Sequence, residues 1–108
     1  MDEAILVIVT CGSGPEAEKL AKQLLEERLV ACVNIAGRIR SLFRWKGAVA
    51  RESESLLLMK TRRALFDPLC QRVRELHSYE VPEVIAFPVM AGNPEYLEWI
   101  SQSTQQDA

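Results

Sequence analysis

Histidine is nearly missing from this chain of 108 residues: His77 is the only one. Metal or proton-transfer chemistry must therefore combine that single ring with other residue types. Cysteine is scarce too. Cys11, Cys32 and Cys70 are an odd set without CxxC spacing. That argues against a disulfide framework or a structural zinc site and predicts a reducing, cytoplasmic setting. An excess of one charge is also lacking. The net charge is −2, which gives no electrostatic reason to expect a nucleic-acid partner. The first apolar run, AILVIV, follows Asp2-Glu3 and lacks the basic start and the length of a secretory signal. No run approaches the roughly 20 apolar residues that cross a bilayer, so no membrane partner is expected. Internal repeats and low-complexity linkers are absent, and only the tail STQQDA reads as loose.

What is present is a globular composition, 48% hydrophobic and 26% charged, and the length predicts one domain over 1–108. Residues 4–11, AILVIVTC, form a β-branched run suited to a strand buried on both faces. Ser13 and Glu16 have capping-box spacing, with Pro15 in the first turn. Ala17, Leu20, Ala21, Leu24 and Leu25 then predict a helix to about Arg28. A second strand is predicted from Leu29 to Trp45 with a bulge near Gly37, a turn at Lys46-Gly47, and a third strand from Ala48 to about Thr61. Leu65, Leu69, Val73 and Leu76 share a helical face, with Pro68 in the first turn or at a bend. A fourth strand at 84–90 contains Pro88, which marks an edge or a bulge. Asn93-Pro94 opens a last helix. The predicted class is α+β: a ferredoxin-like βαββαβ sandwich with a C-terminal helix and a long protruding hairpin between the second and third strands.

The hairpin is too long for its own domain. A domain of this size is roughly 35 Å across, whereas 14 extended residues reach about 46 Å. The overhang would expose unpaired strand edges together with Phe43 and Trp45, which predicts an oligomer paired through the 31–61 hairpin. A two-residue turn would also place Arg38, Arg40, Arg44 and Arg51 on one face, read as a solvated or ion-paired surface.

For chemistry, His77 reads either as a helix-end partner or as a metal ligand. Cys11 ends the first strand beside a helix start, where a thiolate is favoured; a soft-metal or Cys–His catalytic pair with His77 is conceivable. Cys32 and Cys70 lie in apolar patterns and read as small core residues. Glu80 and Glu83 flank Val81-Pro82, a stiff lead-in to the fourth strand. TCGSG lacks the GK[ST] of a P-loop. The third strand, with ESESLLLMK, lacks the aromatics of an RNA-binding RRM domain.

The segments VTC, EERLVACVNI, RSLFRWKG, LLLMKTR, LHSYEVPEVIAFPV and GNPEYLEWI occur in this order from Ile5 to Ile100. In this the chain resembles the CutA divalent-cation-tolerance proteins. The resemblance implies a ferredoxin-like homotrimer, with an architecture similar to the PII signalling trimers and a link to divalent metals such as copper. It implies no required cofactor and no enzymatic activity. The family's copper positions correspond to Cys11 and His77; Leu76 stands where a first histidine would fall. The inter-subunit cleft would draw on Trp45, Lys60, Tyr79 and Glu83. Two other functions remain as alternatives: a small-molecule or anion sensor (or weak enzyme) using that cleft, and a trimeric scaffold for a protein partner.

Overall fold

The computed structural model describes residues 2–106. Its elements are β1 (Ala4–Cys11), α1 (Gly14–Glu26), β2 (Cys32–Trp45), β3 (Ala48–Arg62), α2 (Phe66–Leu76), β4 (Val84–Pro88) and α3 (Pro94–Ser103). One 3-10 turn, Arg63–Leu65, precedes α2. The strands form one sheet in the order β2-β3-β1-β4. Each neighbouring pair is antiparallel. This is the α+β arrangement the sequence predicts.

Burial alternates along β1. Ile5, Val7, Val9 and Cys11 point into the core with Leu57 and Met59 of β3, beneath Leu20, Leu24, Leu69 and Val73 of α1 and α2. The other face of β1 carries Leu6 and Ile8, level with Leu58 of β3 and with Ile85 and Phe87 of β4. Ile85 and Phe87 are 46% and 47% exposed. The apolar run of β1 anticipates cover on both sides, and the chain's two long helices cover only one. α3 shields one end of the second face, where Ile100 is buried. Its end is tied down by Arg62, whose Nε donates to Thr104 Oγ1 (2.8 Å) and whose Nη2 donates to the Thr104 carbonyl (2.9 Å). The tail is thus anchored rather than loose as far as Gln106, whose amide donates to the Arg28 carbonyl (2.9 Å). Asp107 and Ala108 lie outside the described residues.

Residues 48–54 of β3 extend past the end of β1, which pairs only from Arg62 to Ser55, so β2 is their sole strand partner. The molecule is accordingly 44 Å long but only 27 and 21 Å in its other dimensions. Trp45 pairs with Ala48 and Ser41 with Glu52, the expected register. The turn is type I′-like, with φ 50° at Lys46 and 79° at Gly47. The ladder skips between Ala36 and Ile39. The left-handed residue at this bulge is Arg38 (φ 57°) rather than Gly37. Arg38 therefore leaves the ladder, and alternation puts only Arg40, Arg44 and Arg51 on one face, interleaved with Leu42 and Val49.

Candidate metal centre

Three chain segments meet where the overhang begins. β1 ends at Cys11, α1 starts after Ser13, and His77 caps the end of α2. Ser13 caps α1 by accepting the Glu16 N–H at 3.3 Å. The Glu16 carboxylate does not complete the expected capping box. It accepts instead from Ser78 N (3.0 Å) and Ser78 Oγ (2.9 Å), bridging the start of α1 to the turn after α2. That bridge brings His77 over the end of β1.

The His77 side chain is fully enclosed. Its Nε2 lies 2.7 Å from the Thr10 carbonyl, and its Nδ1 accepts the Tyr79 N–H at 3.0 Å. A carbonyl can only accept and an amide N–H can only donate, so these partners specify the Nε2–H tautomer. The Cys11 sulfur is 3.6 Å from Nε2, and Glu16 Oε2 is 3.6 Å from Nδ1. The Cys–His proximity conceivable from the sequence is therefore real, but the ring offers its sulfur-side nitrogen as N–H and cannot accept the thiol proton. Burial, and after it the charges of Glu16 and Glu54, push the Cys11 thiol up to about 12. The expected lowering by the helix N-terminus is overridden by these carboxylates and by exclusion of water.

Beneath the trio, the Tyr79 hydroxyl donates to Glu54 Oε2 at 2.8 Å. Its ring tilts against that of His77 with centroids 4.6 Å apart. Burial, then the hydrogen bond to Glu54 and the charges of Glu54, Glu16 and Glu52, raise the phenol's pKa well above its ordinary value. A side chain at Gly12 would meet Tyr79 Oη at 3.4 Å, so glycine there allows the tyrosine to pack in close.

Cys11 Sγ, a carboxylate oxygen of Glu16 and a ring nitrogen of His77 all lie within 4.8 Å of one another. One thiol, one imidazole and one carboxylate are a donor set suited to a soft or borderline divalent cation. The negative surroundings that hold the thiol proton also favour a dication in its place. The residues fit such an ion in kind and in spacing. Binding would displace the thiol proton and free a ring nitrogen from its backbone partner.

Of the expected residues, Cys11 and His77 come together. Glu16 and Glu54 were missed as site residues; Glu16 looked like a cap, and Glu54 lay in a polar half-strand with no chemical signature. The four cleft positions are dispersed over one chain. Trp45 stands 62% exposed at the hairpin tip. Lys60 contacts Asn34 Oδ1 and lies 3.8 Å from Cys32 Sγ. Tyr79 is at the centre just described, and Glu83 is exposed. No described contact joins any two of the four. Cys32 and Cys70 are partly exposed, not core residues; the register turns Cys32 to the sheet face opposite Met59 and Val7.

A split-βαβ sheet with a thiol–imidazole–carboxylate cluster at the end of β1 defines a small α+β protein with a candidate metal centre. The profile described as "CutA1 divalent ion tolerance protein" matches residues 5–103. The chain belongs to this family. It is 45% identical over 102 residues to the Arabidopsis thaliana "Protein CutA, chloroplastic", covering 94% of this chain and 56% of that one. The chain thus spans little more than half the length of that plant relative. It is 46% identical over 99 residues to the Thermus thermophilus "Divalent-cation tolerance protein CutA", covering 92% and 96%. The crystal structure of CutA1 from Oryza sativa superposes with a TM-score of 0.95 at 42% identity, covering 98% and 97%. The family is described by ion tolerance, which names no reaction.

The cytoplasmic setting expected from the cysteines is corrected by these relatives. The Arabidopsis protein is called chloroplastic. A 37% identical Archaeoglobus fulgidus structure, with a TM-score of 0.92 and coverage of 94% and 99%, is described as periplasmic. Unbridged thiols report that the fold needs no disulfide; they do not report a compartment.

Proposed function

We propose that the chain is the subunit of a homotrimer that binds and responds to a divalent metal ion such as copper, with Cys11, Glu16 and His77 as ligands. The carrying observation is the clustering of three donor types within 4.8 Å. Titration of copper and of zinc into wild type, Cys11→Ser, Glu16→Gln and His77→Ala tests the site. Each variant should weaken binding by at least about tenfold, the lower end of the loss seen when even indirect metal partners are removed. Three variants that bind like wild type would overturn the assignment. Because bound thiolate must first lose its proton, affinity should rise with pH below the thiol's value of about 12.

The trimer reading rests on two features. Residues 48–54 of β3 have a single strand partner, and the second sheet face leaves Ile85 and Phe87 half exposed. Copies of the same chain satisfy both through the 31–61 hairpin. Light scattering should report three subunits, and a monomer would overturn it. Trp45, Lys60, Tyr79 and Glu83 would then meet across a subunit boundary. A signalling role of the PII kind follows from the same arrangement: an ion at the end of β1 sits where the hairpin leaves the body. An enzymatic role is disfavoured by a thiol held protonated beside a ring that cannot take its proton.

A further inference from the structure

Tyr79 stands between the candidate metal centre and the root of the overhanging hairpin. Its N–H donates to His77 Nδ1 at 3.0 Å, and its hydroxyl donates to Glu54 Oε2 at 2.8 Å. Its ring fills the space between, tilted against His77 and close over Gly12. Glu54 is buried and marks the point where β3 changes partners. Ser55 is the last β3 residue paired with β1, opposite Cys11. Glu54 pairs only with Ile39 of β2, just past the bulge. One residue thus joins a ring suited to holding an ion to the first residue of the hairpin beyond the reach of β1.

The His77 ring cannot keep its tie to Tyr79 and also ligate an ion. A neutral imidazole has one nitrogen that carries hydrogen and one that carries a free lone pair. Here the lone pair is on Nδ1 and accepts the Tyr79 N–H, while Nε2–H serves the Thr10 carbonyl at 2.7 Å. Ligation through Nδ1 uses that lone pair directly. Ligation through Nε2, the nitrogen nearer the Cys11 sulfur, requires the ring proton to move to Nδ1, which then donates and no longer accepts. Either route leaves the Tyr79 N–H without its acceptor.

We propose that Tyr79 is the relay between ion and hairpin: ligation of His77 ends the Tyr79 backbone tie, residue 79 shifts, and its hydroxyl loosens its hold on Glu54. The shift follows because a part-buried N–H without an acceptor is costly and draws the backbone toward a new partner. The ring and hydroxyl are carried with it. Glu54 then loses the donor that fixes it where β3 leaves the body. Every link lies within one chain, both His77 and Glu54 are buried, and no link needs a surface open to solvent. The inference rests on the metal reading of the site and adds the direction in which occupancy acts on the fold.

The test is nuclear magnetic resonance on the assembled, isotope-labelled protein, with zinc as a diamagnetic probe. Without metal, the ring nitrogen shifts of His77 should report the Nε2–H tautomer; an Nδ1–H ring would overturn the proposal. Zinc should then speed hydrogen exchange at the Tyr79 amide by about tenfold, the loss expected for one backbone hydrogen bond. It should also speed exchange in residues 50–54. Tyr79→Phe keeps the ring and the N–H but removes the hydroxyl. In that variant residues 50–54 should exchange faster without metal and no longer respond to zinc, while the residue 79 amide still does. A hairpin response equal in wild type and Tyr79→Phe would overturn the relay. So would zinc bound at Cys11, Glu16 and His77 with the Tyr79 amide still protected, an outcome that leaves the metal reading standing. Calorimetry that shows no zinc binding to wild type would overturn both.

Discussion

Cys11 and Cys32 are the same side chain on neighbouring parts of one sheet, and they sit in opposite surroundings. Cys11 lies at the end of a central strand, wholly buried, with Glu16 and Glu54 nearby. Each of these features favours the proton on sulfur, so the thiol is inert until something positive replaces that proton. Cys32 lies on the edge strand, partly open, with an ammonium at 3.8 Å. The comparison teaches that the neighbouring charge and access to water, not the cysteine itself, decide how firmly a thiol is held to its proton.

The sharpest break of that contrast is a swap of readouts. Cys11→Ser should reduce copper affinity by about 100-fold, since removing a ligand costs at least as much as the largest losses from its supporting groups. Cys32→Ser should leave it unchanged, as calorimetric titration would report; equal losses in both would erase the distinction.

A smaller effect is the alkaline limb of stability. The folded Cys11 thiol titrates at about 12 against a reference value of 9.0. Above pH 9 the unfolded chain gives up this proton and the folded chain retains it. The folded state therefore binds more protons, and stability falls with rising pH across that window; below pH 9 the contribution is fully present. Tyr79, also raised, adds a slope of the same sign. Urea unfolding of Cys11→Ser against wild type from pH 8 upward isolates the cysteine part, and the variant should show the shallower decline.

The two tyrosines extend the comparison to stability at neutral pH. Tyr79→Phe strips the buried Glu54 of its hydroxyl donor and should cost about 1–3 kcal/mol. Tyr96→Phe, at a site 42% exposed, should stay within about 0.5 kcal/mol. Denaturant midpoints in that order support the contrast, and the reverse order would contradict it. The smallest expected change is Lys46→Asn. Asparagine accepts the left-handed backbone of the hairpin turn more readily than lysine, so a gain of a few tenths of a kcal/mol, roughly, should appear as a slightly raised midpoint.

Much of the fold was legible because it rests on local patterns. The helical spacing of Ala17, Leu20 and Leu24, the Ser13 and Asn93 caps, the edge position of Pro88 and the overhang of the hairpin can each be read within a few residues of chain. Strand ends were less legible. Leu29 to Ala31 are buried, yet they form the helix exit and lead-in ahead of β2, which starts at Cys32. Tertiary burial there resembles strand pattern. The site was half legible. Cys11 and His77 carry distinctive chemistry and could be suspected at any separation. Glu16 could not be separated from its capping role, because one spacing serves both a backbone cap and a side chain that reaches Ser78. Glu54 gains its importance only from Tyr79, 25 residues later.

By itself, the sequence determined the order of elements, the sheet-and-helix class and a hairpin longer than its body. These follow from periodicity, turn residues and strand length, which act over short distances. Only the tertiary structure decided which face of β1 the helices cover and which tautomer His77 holds. It alone paired Cys11 with carboxylates and Cys32 with an ammonium. Those outcomes depend on groups that are far apart in the chain and meet only when strands and loops pack, and electrostatics and burial act on that meeting rather than on sequence order.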